Sequence, residues 1–146
     1  MRDNLILTVI ARFTIPLIML FALYVQFHGE YSPGGGFQAG VLFGAAWILF
    51  ALVYGVELGL RVIPFRVIYT LACGGVLLYS LMGVLTVTFG GRFLDFYALA
   101  DDPHVAQQTG IVLVELGVGI TVAAVVMLIF VLFVSQRDTR TGRAEP

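Results

Sequence analysis

The chain has 146 residues, of which 60% are hydrophobic and only 12% charged, with a formal net charge of −1. The charged fraction is about half that of a soluble domain, which makes this an integral membrane protein. The slightly negative balance argues against a nucleic-acid partner, and a single cysteine, Cys73, leaves no disulfide framework and no cysteine-built metal site.

Residues 5–27 form the first apolar stretch, preceded by Met1-Arg2-Asp3-Asn4. It is too long for a signal-peptide core and no small-residue cleavage site follows it, so it reads as a membrane span. A second span covers 37–56, a third 67–90 and a fourth 108–134. None alternates with period two, which argues against a β-barrel. The connections are too short to hold a soluble domain, and no internal repeat is visible. The expected fold is therefore all-α, with four transmembrane helices in one module over 1–146, ending in a polar tail at 135–146 that should be frayed.

Orientation follows from arginine, since all eight basic residues are arginines. Arg2, Arg61, Arg66, Arg137, Arg140 and Arg143 fall on one side of a four-span layout. Arg92 falls on the other, with Glu30, Asp95, Asp101, Asp102 and His104. The arginine-rich side should be cytoplasmic, with both termini inside.

The segment joining the first two spans contains Ser32-Pro33-Gly34-Gly35-Gly36-Phe37-Gln38-Ala39-Gly40. Pro33 fixes φ and has no N–H, whereas the glycines can take positive φ and let another backbone approach closely. The combination predicts an ordered turn packed against other helices, with Phe37 inserted as an anchor at the start of the second span. Glycines are dense within the spans as well: Gly40, Gly44, Gly74, Gly75, Gly83, Gly117 and Gly119. Small faces permit backbone-to-backbone packing. Four helices bury little surface among themselves, so some of these faces are expected to receive other subunits.

Glu115 is the outstanding charge, set among Val112, Leu113, Val114, Leu116 and Val118, about 10 Å below the outer end of the fourth span. A carboxylate there costs about 2–3 kcal/mol unless it is paired, hydrated or protonated. It is a candidate for an ion route, or a structural carboxyl bonded to a neighbouring helix. His28, Glu30 and Tyr31 crowd the same end of the first span and could join it in passing protons or holding a cation, or form a solvated loop. One histidine and two carboxylates at this spacing make a weak metal signal. Arg12 lies about as deep from the opposite side and can snorkel to the interface. Glu57 and Arg61 stand four residues apart at the cytoplasmic interface, a structural arrangement. No nucleophile–base pair, phosphate loop or cofactor motif is present, and Gly34-Gly35-Gly36 lacks the Lys-Ser/Thr of a P-loop. The chain reads as neither an enzyme nor a cofactor protein.

The run His28-Gly29-Glu30-Tyr31-Ser32-Pro33-Gly34-Gly35-Gly36-Phe37-Gln38-Ala39-Gly40 resembles the signature of the MnhB/MrpB family, the B subunits of Mrp-type multisubunit Na+/H+ antiporters. Ala39 stands where a glycine is common in that pattern. Ala11-Arg12, Pro16-Leu17 and Leu23-Tyr24 are similar to the family's first helix. The resemblance implies a small accessory subunit, partnered by other membrane subunits of a complex in a bacterial plasma membrane, with Na+ and H+ as the transported ions. It also implies that the larger subunits carry the main proton path. The residues themselves agree, because intramembrane charges are too few for a self-contained exchanger and the paired broken helices of such transporters are missing from the pattern. Two alternatives stay open: a subunit of a redox-driven pump such as a membrane-bound hydrogenase, and an independent small homo-oligomeric channel.

Overall fold

The computed structural model describes residues 5–29, 34–99 and 103–141. Five helices follow in order: α1 Leu5–Phe27, α2 Gly36–Tyr54, α3 Val56–Val62, α4 Phe65–Thr88 and α5 Pro103–Thr141, with a 3-10 turn at Phe96–Leu99. Among them α1, α2, α4 and α5 are long and apolar enough to cross a membrane. The four-span, all-α expectation is met.

The short connection after the second span is itself helical. Gly55, at φ 103°, breaks α2 in a backbone conformation that only glycine adopts readily, and its N–H still donates to the Ala51 carbonyl at 2.9 Å. α3 then runs until Pro64, with Glu57 in its first turn and Arg61 in its last, the order that suits the helix dipole. It lies back on α2, where a Cβ on Gly59 would sit 3.2 Å from the Ala51 Cβ and 3.3 Å from the Trp47 ring.

The long helices form a row, α1–α2–α5–α4, in which α5 and α2 are the inner pair. One core joins Trp47 and Ala51 of α2 to Ile68 of α4 and Ala124, Met127 and Val131 of α5. A second fastens α1 to α2 through Ala11, Ile15, Ala46 and Val53. The Tyr54 hydroxyl adds a bond to the Thr8 carbonyl at 3.4 Å.

Glycine sets how closely α5 is approached. From α2, Gly40 faces the Gly119 carbonyl and Val122, and Gly44 faces Val126. From α4, Gly75 faces Thr121 and the Gly117 carbonyl, while Gly117 in turn faces Tyr79. These small faces are occupied by the chain's own helices, so the expectation that they receive other subunits does not hold for them. Gly74 is the contrast, with nothing within 4 Å of an added Cβ. Gly75→Ala should therefore destabilise the α4–α5 pair by about 1–3 kcal/mol, since the new methyl meets the Gly117 carbonyl 2.6 Å away. Gly74→Ala should be neutral or slightly stabilising. Thermal unfolding of the two variants in detergent measures the difference.

α5 is 39 residues long, about 58 Å, and exceeds the hydrocarbon core at both ends. At its C-terminal end the backbone is helical through Thr141. At its N-terminal end α5 is covered by the segment after α4. The Phe93 ring lies on Gly83 and Phe96 on Gly110. Thr86, fully buried, donates to the Gly83 carbonyl at 2.9 Å and accepts from the Leu94 N–H at 2.9 Å. That bond holds Leu94 at φ 62°, unusual for a branched side chain.

Candidate functional site

The two described ends of the α1–α2 connection, Gly29 and Gly35–Gly36, approach Glu115. A Cβ on Gly29 would lie 2.7 and 3.0 Å from the two carboxyl oxygens and 3.1 Å from the Gly34 carbonyl oxygen. A Cβ on Gly35 would lie 2.7 Å from Oε1. Gly36 comes closer still, with its missing side chain directed at the Glu115 backbone carbonyl. The turn therefore packs on a helix as expected, but its glycines are needed for room and not for handedness. Gly35 is extended, at φ −159° and ψ −158°, and among the described glycines only Gly55 and Gly90 have positive φ.

Gly35 is also the N-cap of α2 and offers no side chain to the first N–H groups of that helix. The carboxylate of Glu115 stands against this end. An anion there meets the positive pole of the α2 dipole, so α5 supplies the charge that α2 lacks in its own first turn. Gln38 folds back towards Gly34, its Oε1 2.5 Å from where a Cβ would be. Gly34 to Gln38 line an open cavity of about 390 Å3 together with Val114, Glu115 and Val118.

α5 begins at Pro103, so Glu115 lies about 18 Å along the helix. Yet it is level with the start of α2, whose 19 residues span about 28 Å, close to one hydrocarbon thickness.

His28 is not brought to the carboxylate. Its ring stacks on Tyr24, with centroids 4.3 Å apart, and lies on the exposed face of α1 with Phe21 and Phe27. Its neighbour Gly29 makes the approach to Glu115 instead. Glu30 and Pro33 lie outside the described residues. Phe37 is 63% exposed, so it is not an anchor within this chain, and it lines the cavity beside Val114, Glu115 and Val118. Gly40 packs as expected of a small residue, with its missing Cβ 2.5 Å from the Gly119 carbonyl.

Sequence reasoning passed over Gln26. It is 6% exposed, and its Oε1 lies 2.6 Å from where a Cβ on Gly119 would be. Its Nε2 has no hydrogen-bond partner among the described residues. The available signal was a lone amide in an apolar span, one residue before the helix ends. Gly119, one turn after Glu115, is the small residue that admits it.

Comparison with known proteins agrees with this architecture. Residues 6–128 match the family described as "Domain related to MnhB subunit of Na+/H+ antiporter". A protein of Staphylococcus aureus strain MRSA252, named "Putative antiporter subunit mnhB2", is 32% identical over 136 residues, covering 88% of this chain and 94% of the relative. Its counterpart in strain Newman is 30% identical over 138 residues, with the same coverage. The glycine turn, four spans and near-complete alignment coincide: the chain belongs to the family of domains related to the MnhB subunit of Na+/H+ antiporters.

Proposed function

We propose that this chain is an accessory subunit of a multisubunit Na+/H+ antiporter in a bacterial plasma membrane, and that Glu115 borders an outer access route for Na+ or H+. Family membership and the names of the relatives support the first part. The observation that carries the second is the carboxyl group of Glu115 held against Gly29 and Gly35 and lining an open cavity. Gly29 and Gly35 pack against the carboxyl group, and the open cavity beside it is the approach for an ion, a seam that a neighbouring subunit completes. His28 and Glu30 flank Gly29 in sequence and are the next candidates along that route.

The helix row contains few groups that could carry charge across the membrane, which suits an accessory role beside larger ion-carrying subunits. The deciding experiment is purification of the tagged chain in mild detergent, followed by native gel and mass spectrometry. Co-purification with several different membrane subunits, and loss of Na+/H+ antiport in everted vesicles when this chain is deleted, are the expected results. A stable homo-oligomer that conducts ions alone in liposomes would overturn the reading. Hydrogenase or Fe–S subunits in the purified complex would move the chain to a redox-driven pump.

The orientation carries its own prediction. With arginine concentrated at the end that holds both termini, a reporter fused after Pro146 should read cytoplasmic and one placed at Asp101 periplasmic. The opposite pattern would invert the access route and place Glu115 on the cytoplasmic side.

A further inference from the structure

α1 is the edge of the helix row and the least covered of the four spans. Its buried stripe, Ala11, Ile15, Ala22 and Val25, faces α2. Phe13, Leu17 and Leu20 on the other side are each about two-thirds exposed. Arg12 stands on this uncovered surface, exposed, and forms no hydrogen bond or ion pair with any described residue. One turn further on is Pro16, also exposed and inside the helix. Proline has no N–H, so the Arg12 carbonyl loses the donor that residue 16 would otherwise supply. One spot on an apolar face thus presents both a guanidinium and a carbonyl deprived of its helical donor.

We propose that this spot is the docking point for a transmembrane helix of a neighbouring subunit. That helix would carry an acidic side chain and, within one turn of it, a hydroxyl or amide donor. This rests on the reading of the chain as one subunit of a larger complex. A guanidinium surrounded by hydrocarbon requires an acceptor, and a carboxylate is the acceptor that its planar fork matches in two bonds. Snorkelling to a lipid phosphate would satisfy the side chain alone. The carbonyl cannot move towards the interface, and a phosphate diester has no proton to donate to it. A protein helix supplies both groups at one level, and the exposed Phe13–Leu17–Leu20 surface provides the apolar contact around them.

The test uses the assembled complex. Arg12→Leu should leave the amount of chain in the membrane unchanged but lower the recovery of the other subunits with it about tenfold or more, as removing one partner of a buried pair does. Arg12→Lys, which keeps the charge but not the fork, should fall between. The charge reversal Arg12→Glu should be rescued by a second-site change of an Asp or Glu to Arg within a membrane span of another subunit. Full recovery of every subunit with Arg12→Leu, or equal and complete recovery with Lys, assigns Arg12 to lipid and overturns the proposal. Suppressors that map only to non-acidic positions overturn it too. If the wild-type chain purifies without other subunits, it is the antiporter-subunit reading itself that fails.

Discussion

Gly36→Ala is expected to separate α2 from α5 and to remove most of the folded chain from the membrane. Gly36 has the tightest backbone approach among the described glycines: an added Cβ would overlap the carbonyl of Glu115, within a helix whose backbone cannot yield locally. Overpacking costs about 1–3 kcal/mol when side chains can rearrange, and more when, as here, two helices must part. Gly40→Ala should be nearly as severe, because its methyl would meet the Gly119 carbonyl at 2.5 Å and the Val122 Cβ at 2.9 Å. Gly35→Ala should be milder, since it meets only the end of the Glu115 side chain, which can swing. The single tryptophan reports on the event. Trp47 is 2% exposed in the α2–α5 core, edge-on to Phe130, so parting the helices shifts its emission to longer wavelength and lowers the unfolding midpoint. The expected order of damage is Gly36, then Gly40, then Gly35. A Gly36→Ala protein with wild-type emission and midpoint would show that the turn does not lie on α5.

The four spans were legible because the physics behind them is local. Twenty or so apolar residues in a row admit few other readings. Breakers at Gly55, Pro64 and Gly90 ended the helices close to where they were expected. The helical nature of 56–62 was not legible by hydropathy, because its polar residues look like a loop; only the Glu57–Arg61 spacing hinted at a turn of helix. The start of α5 was missed by several residues because Pro103 and polar neighbours hid a helix that continues beyond the membrane boundary. The glycine-rich turn was recognised as a packed feature, but for a different reason from the one that holds. Permissive φ is a property of the residue and can be read from sequence, whereas the closeness of Glu115 to Gly29 and Gly35 is a property of the α2–α5 crossing. For the same reason His28 was grouped with Glu115 by depth alone. A helix rotates its side chains by about 100° per residue, so equal depth does not mean a shared face.

Glu115→Gln is expected to preserve the complex and reduce antiport, and comparison with Glu115→Ala shows why the carboxylate is there. Glutamine keeps the shape that fills the space beneath Gly29 and Gly35 but carries no charge to meet the positive end of α2 and no group to titrate. The loss should be roughly tenfold, about 1.4 kcal/mol, the scale of losing one charged group's favourable interaction. It should come with a changed pH profile, while the larger subunits still carry the main current. Alanine removes both the shape and the carboxyl group beside the start of α2, so the chain should be recovered poorly. Glu115→Asp withdraws the carboxylate by one methylene and opens space next to Gly35. In that background the added methyl of Gly35→Ala should be better tolerated than in the wild type, and failure of the pair to compensate would argue against the packing described. Antiport in everted vesicles, measured across pH and normalised to assembled complex, separates the two roles of the side chain. Full activity and an unchanged profile with glutamine, beside failed assembly with alanine, would make Glu115 a structural carboxyl and nothing more. A reduced and shifted profile in an intact complex would place it on the ion route.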